Sequence, residues 1–243
     1  MSPLRRFILT ATFWLPAMFF LWYLLSSAVV YPVIRLTAVV FSLWMPDLLL
    51  EMGQDYHQAL YAYAANVSGV PGLPAAKLAV EEQRTNVLIY CYGVPLLFGL
   101  VVATPLNWRR TWLQLGIGFA VLTAMETFGL VGEVLKTMAF GVRAAIEAAL
   151  GAMQYAHVAA PAGAAAEQNM HLALAQHGLS IDGIGLMYQF GYLVLPAVVP
   201  VALWIVMNRS FLESLVGWSG EPGGEAAGPR GGSADTASGG KST

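Results

Sequence analysis

Four stretches of this chain, residues 7–31, 87–105, 111–136 and 187–207, are long and almost uncharged. A helix needs about 20 mainly apolar residues to cross about 30 Å of hydrocarbon, and each stretch meets or approaches that length. Charged residues make up 11% of the 243 residues, against about 25% in an ordinary soluble domain. The expected fold class is an all-α polytopic membrane protein with about four transmembrane helices.

The segments divide as follows: an N-terminal transmembrane helix within 1–31, an outer segment 32–86, a second span 87–105, a tight turn 106–110, a third span 111–136, a second outer segment 137–186, a fourth span 187–207 and a tail 208–243. The apolar core after Arg5 and Arg6 exceeds the usual 7–15 residues of a signal peptide, so it reads as an uncleaved anchor. Arg5, Arg6, Arg109, Arg110 and Arg209 fall on one side if the spans alternate. By the positive-inside rule that side is the cytoplasm, which places both termini inside. Residues 220–243 are Gly/Ser-rich without apolar anchors, the composition of a disordered tail.

The first outer segment opens with "VIRLTAVVFSLWMPDLLLEM", interrupted by Arg35 and Pro46 and too short to span. It reads as an interfacial helix or as a continuation of the first span beyond the bilayer. "HQALYAYAANVSG" and "AKLAVEEQRTNV" then alternate around a Gly/Pro-rich turn, which suggests a short β-hairpin. The second outer segment is alanine-rich and helical, with a break at Pro161 and Gly163 and a stop at Gly178. His157, His171 and His177 lie there without a spacing that would gather a metal, so they read as surface residues. The chain has no Cys/His metal motif, no phosphate loop and no basic run for nucleic acid, and no cofactor is expected.

Glu126 lies about 15 residues into the third span, about 22 Å from its start. A charge at that depth costs at least about 2.5–3.5 kcal/mol. Gly129 and Glu133 share its face, and Gly129 allows close helix approach. Two readings stay open: these residues contact another helix or line a substrate or proton path, or the span ends early and the glutamates stand at an aqueous boundary. Pro95, Pro196 and Pro200 free backbone carbonyls and bend their helices. The one cysteine, Cys91, has no histidine in any span to act as its base, and a cysteine nucleophile needs a base or cation beside it. It reads as a small packing residue.

The pieces "SPLRRFILTATFWLPAMFFLWYLL", "NVLIYCYGVPLLFGLVVATP" and "MYQFGYLVLPAVVPVALWIVMNRSFLE" together resemble the bacterial family of exosortase H-associated membrane proteins. Within them Tyr90, Tyr92, Gly93 and Pro95 carry the likeness around Cys91, and Tyr188, Gly191, Pro196 and Pro200 lie in the matching fourth span. The resemblance implies a partner of an exosortase, a polytopic transpeptidase-like enzyme that processes proteins bearing a C-terminal sorting signal. Those enzymes resemble sortases in using a cysteine with an arginine and a histidine. Here Cys91 stands in Tyr-Cys-Tyr-Gly, and no span supplies the arginine or histidine. The resemblance therefore favours a non-enzymatic accessory protein, with membrane lipid, an exosortase and its sorted substrates as expected partners. A membrane-embedded cysteine transpeptidase or protease, or a small transporter using Glu126, is the alternative. No catalytic, cofactor or metal residues are assigned. The candidate helix-packing or partner contacts are Glu126, Gly129, Glu133, Tyr90, Tyr92, Gly93, Pro95, Tyr188, Gly191, Pro196 and Pro200.

Overall fold

A computed structural model of the chain describes residues 3–73, 76–153 and 155–218. The chain starts with helix α1 (Pro3–Leu24) and helix α2 (Ser26–Trp44). The hydrogen-bond ladder runs on through the irregular Leu25, whose N–H donates to Leu21 (3.0 Å) and whose carbonyl accepts from Val29 (3.1 Å). The two helices therefore follow one another almost without interruption, about 60 Å of chain at 1.5 Å per residue, twice a bilayer core. Of the two readings of the segment after Tyr31, an interfacial helix or a continuation of the first span, the helix follows the second as far as Trp44. The helix restarts at Ser26, and Ser26–Trp44 is by itself long and apolar enough to cross a membrane.

A three-stranded antiparallel sheet follows, β1 (Leu49–Asp55), β2 (Gln58–Asn66) and β3 (Lys77–Asn86), in the order β1-β2-β3. The expected hairpin is the β2–β3 pair. β2 alternates strictly, with Ala59, Tyr61, Tyr63 and Ala65 turned into the core. β1 is an addition. Its burial lacks that alternation, so only pairing with β2 defines it as a strand.

After the sheet come the short helix α3 (Leu88–Cys91), helix α4 (Gly93–Ala103) and the long α5 (Trp108–Lys136). A π-helical turn, Thr137–Gly141, carries α5 into α6 (Val142–Gly151), so one helical run covers 44 residues. A 3₁₀ turn (Ala156–Val158) leads into α7 (Ala159–Gln176), which returns along α6. The expected break at Pro161 falls earlier. Pro161 is the third residue of α7, where a missing N–H removes no helical bond. α7 stops at Gly178, which has a φ of +80°. The Leu179 N–H donates to the Leu174 carbonyl (3.1 Å) and the Gly178 N–H to that of Ala175 (2.9 Å), a Schellman cap. A Cβ at that φ is strained, so Gly178→Ala should cost about 1 kcal/mol, measured by thermal unfolding in detergent.

The chain then runs through α8 (Ile181–Gln189), capped by the Ser180 hydroxyl, a second π-helical turn (Phe190–Val194) and α9 (Leu195–Met207). Arg209–Trp218 forms a further helix, α10, which is a separate unit. The expected disordered tail at 220–243 lies outside the described residues.

The protein is a polytopic membrane protein. Among the described residues four helical stretches are long and apolar enough to cross: Leu4–Leu24, Ser26–Trp44, Trp108–Gly151 and Ile181–Met207. Leu88–Ala103 is a shorter apolar helical stretch. It packs between its neighbours, α4 lying against α1, α5 and α9. At one end of this bundle the Phe7 ring stacks on Trp204 (5.5 Å), and the Trp204 indole N–H donates to the Thr104 hydroxyl (3.0 Å). The Gln114 amide donates there to the Met207 carbonyl (3.2 Å) and to Asn208 Oδ1 (3.1 Å). Arg5, Arg6, Arg109 and Arg110 flank these contacts in sequence, so this is the arginine end. The opposite end carries the sheet. There Tyr61, Tyr63 and Val80 share one buried core with Phe41 of α2 and Met45 just after it, Val134 and Leu135 of α5, Ile146 of α6 and Met170 and Leu174 of α7.

Candidate functional site

Pro95 is the third residue of α4 and cannot give the N–H that would bond the Cys91 carbonyl. The helix breaks at Tyr92, and α3 turns Tyr90 and Cys91 inward, both fully buried. Tyr92 stands at the break itself, half-buried.

α5 presents Glu126, Gly129 and Glu133 to this turn along one face. The backbone of the π-helical turn crosses α5 at Gly129. A Cβ built on Gly191 would stand 2.6 Å from the Gly129 Cα, and one built on Gly129 would stand 2.9 Å from the Tyr90 ring. Neither position has room for a side chain. One turn further out the Tyr188 backbone closes on Gly132, at 3.3 Å from the place of a Cβ. On α9, Pro200 cannot bond the Pro196 carbonyl, and that oxygen faces Gly93, 3.2 Å from the position its Cβ would take. Small residues and proline-freed backbone thus let α3, α4, α5 and α9 meet closely.

A polar cluster lies on the sheet side of this crossing. The Tyr90 hydroxyl donates to Glu133 Oε2 (2.8 Å). Lys136 Nζ donates to both oxygens of the same carboxylate (2.9 and 3.1 Å) and sits 4.2 Å above the Tyr188 ring. Tyr188 stacks on Tyr192 (5.7 Å), and Tyr192 meets the Tyr90 ring edge-on (6.1 Å). The sheet reaches toward it through Tyr61, whose hydroxyl lies 3.4 Å from that of Thr85. Burial raises the Tyr61 phenol above its ordinary range, opposed by hydrogen bonds with Thr137 and Thr85. π-helical turns flank the cluster in sequence after Lys136 and before Leu195, and such turns recur at functional sites.

Glu126 differs from Glu133. It is 4% exposed, and neither carboxyl oxygen has a hydrogen-bond partner among the described residues. The Cys91 thiol is the polar side chain that faces it. Beside it opens a cavity of about 10 Å³ lined by Tyr90, Gly93, Leu122, Met125, Leu195 and Pro196, room for about one water.

The structure therefore brings together Glu126, Gly129, Glu133, Tyr90, Gly93, Tyr188, Gly191, Pro196 and Pro200, while Tyr92 and Pro95 shape the backbone that delivers Tyr90. Lys136 and Tyr192 are additions. Lys136 follows Glu133 by three residues and Tyr192 follows Tyr188 by four, spacings that place each pair on one helix face. Among the described residues no three His, Cys, Asp or Glu side chains gather as a metal site. His171 bonds the Ala139 carbonyl (2.9 Å), tying α7 to the first π-helical turn. A wider groove, about 490 Å³, lies on the sheet, and Glu51, Leu60, Ala62, Ala79 and Glu82 are among the residues that line it.

A family model described as exosortase H-associated membrane protein matches residues 1–161 and 162–211. No curated protein and no solved structure matches the chain.

Proposed function

The chain belongs to the exosortase H-associated membrane protein family, and on that premise we propose that it is a non-enzymatic accessory protein of a bacterial exosortase protein-sorting system. It assists an exosortase or the substrates that carry the C-terminal signal. It sits in the inner membrane and crosses it four times, through α1, α3–α4, α5 and α8–α9, with both termini in the cytoplasm. The arginine-flanked end of the bundle supports that orientation. The sheet, α6 and α7 then stand on the outer side, where the groove beside Glu51 and Glu82 is a surface for a substrate segment.

The observation that carries this reading is the family match, which covers every apolar helix of the bundle. The state of Cys91 supports the non-enzymatic part. Reactive cysteines sit in partly exposed, electropositive surroundings. Cys91 is fully buried, and the group facing it is the Glu126 carboxyl. Purification of the tagged chain from native membranes in mild detergent should bring an exosortase with it. Failure to do so, while a known membrane complex survives the same procedure, would overturn the partnership. Cys91→Ala should leave sorting intact; loss of sorting in a folded Cys91→Ala protein would point to an enzyme instead.

A further inference from the structure

Among the described residues Glu126 is the most deeply buried acidic group; its carboxyl oxygens have no hydrogen-bond partner there, and a small space opens beside them, next to the Cys91 thiol. The lining of that space is mainly apolar, and the polar atoms it offers a guest are chiefly acceptors. Besides the two carboxyl oxygens, the neighbouring α9 backbone has the Pro196 carbonyl, which Pro200 leaves without its helical donor. A water fits both the volume and the chemistry, because it donates to the acceptors and carries protons.

The other boundary of the space is Tyr90. Its ring lies over Gly129, one turn from Glu126 toward the sheet, and its hydroxyl is held by Glu133, one turn further out. Lys136 and the stacked Tyr188 and Tyr192 complete the group beyond it. The titratable groups facing Glu126 are therefore the Cys91 thiol and Tyr90 from α3. The lining residues of α4 and α9 carry none.

We propose that Glu126 is a proton-exchanging site, served by one water in the adjoining cavity and open only toward the sheet side, with Tyr90 as its gate. When the ring swings off Gly129, the Glu126 O–H bond breaks. Its proton passes to the cavity water and leaves as hydronium into the water at the sheet side. The reverse step restores the acid. Glu133 is the latch that holds the gate shut.

The test uses the full chain in phospholipid vesicles, sorted by orientation, with dicyclohexylcarbodiimide as the probe. This membrane-permeant reagent reacts with a carboxyl that carries its proton, and peptide mass spectrometry reads the adduct. Glu126 should be labelled. Its labelling should slow when pH is raised on the sheet side and stay unchanged when pH is raised on the arginine side. Tyr90→Phe keeps the ring but removes the latch, so its response to a sheet-side pH jump should be several-fold faster. Glu133→Gln weakens the same latch from the other partner and serves where Tyr90→Phe does not fold. The proposal is overturned by an unlabelled Glu126 under conditions that label a lipid-embedded carboxyl in a control protein. It is equally overturned by labelling that follows pH on the arginine side, or by an unchanged rate in the folded latch variants.

Discussion

Gly191→Leu should disrupt the bundle more than any other single change at the site. A Cβ at residue 191 would stand 2.6 Å from the Gly129 Cα, and backbone cannot yield as a flexible side chain can. The two segments would have to separate, which unseats Tyr90, Tyr188 and Tyr192 together. Overpacking of a tight core costs about 1–3 kcal/mol, and a backbone-to-backbone clash belongs at or above the top of that range. Thermal unfolding in detergent should show a large fall in midpoint. Gly116→Ala is the matched control on α5, because a Cβ there meets nothing within 4 Å. It should leave the midpoint unchanged or raise it slightly, since alanine favours helix by up to about 1 kcal/mol. Equal losses in the two variants would refute the crossing.

Tyr90→Ala should rank next. The ring is fully buried, packs on Gly129 and Tyr192 and borders the cavity beside Glu126, so its removal enlarges an existing void. Replacing a large buried aromatic by alanine costs about 3–5 kcal/mol. Tyr90→Phe retains the ring and loses the hydrogen bond to Glu133, a bond to a charged group contributing about 1.5–3 kcal/mol. Comparing the two melting curves separates packing from latch. If the phenylalanine variant is as unstable as the alanine variant, the hydroxyl outweighs the ring and the packing argument fails.

The parts of the fold that sequence reading recovers are those whose cause is local. Gly178 ends α7 because the cap needs a positive φ, and glycine supplies it without strain. The β2–β3 pairing announces itself through alternation around a Gly/Pro turn. The Glu126–Gly129–Glu133 face follows from helical periodicity alone. What escapes has its cause elsewhere in the chain. Residues 49–55 have no strand pattern of their own and become β1 by pairing with β2. The segment that opens with "VIRLTAVVFSLWMPDLLLEM" reads as too short to span because Arg35 and Pro46 interrupt it, yet the helix runs through Arg35 and ends at Trp44, just before Pro46. Pro161 reads as a breaker, whereas its position in the first turn of α7 makes it harmless. The grip of Lys136 on Glu133 is visible as spacing, but its seat over Tyr188 depends on α8 folding back beside α5.

The helical run from Trp108 to Gly151 joins the outer layer to the membrane helices through continuous backbone, with a π-helical turn at Thr137–Gly141 within it. At 1.5 Å per residue it is about 66 Å long, of which about 30 Å suffices for the bilayer. The remainder forms part of the core on which the sheet rests, as does the far half of the α1–α2 run. The two outer segments, residues 32–86 and 137–186, therefore cannot be cut away as a soluble piece, because Val131, Val134 and Leu135 of that core belong to α5. A tilt of α5 in the lipid would shift Val131, Val134 and Leu135 within that shared core, so force applied to the sheet by anything outside reaches the helices below through it.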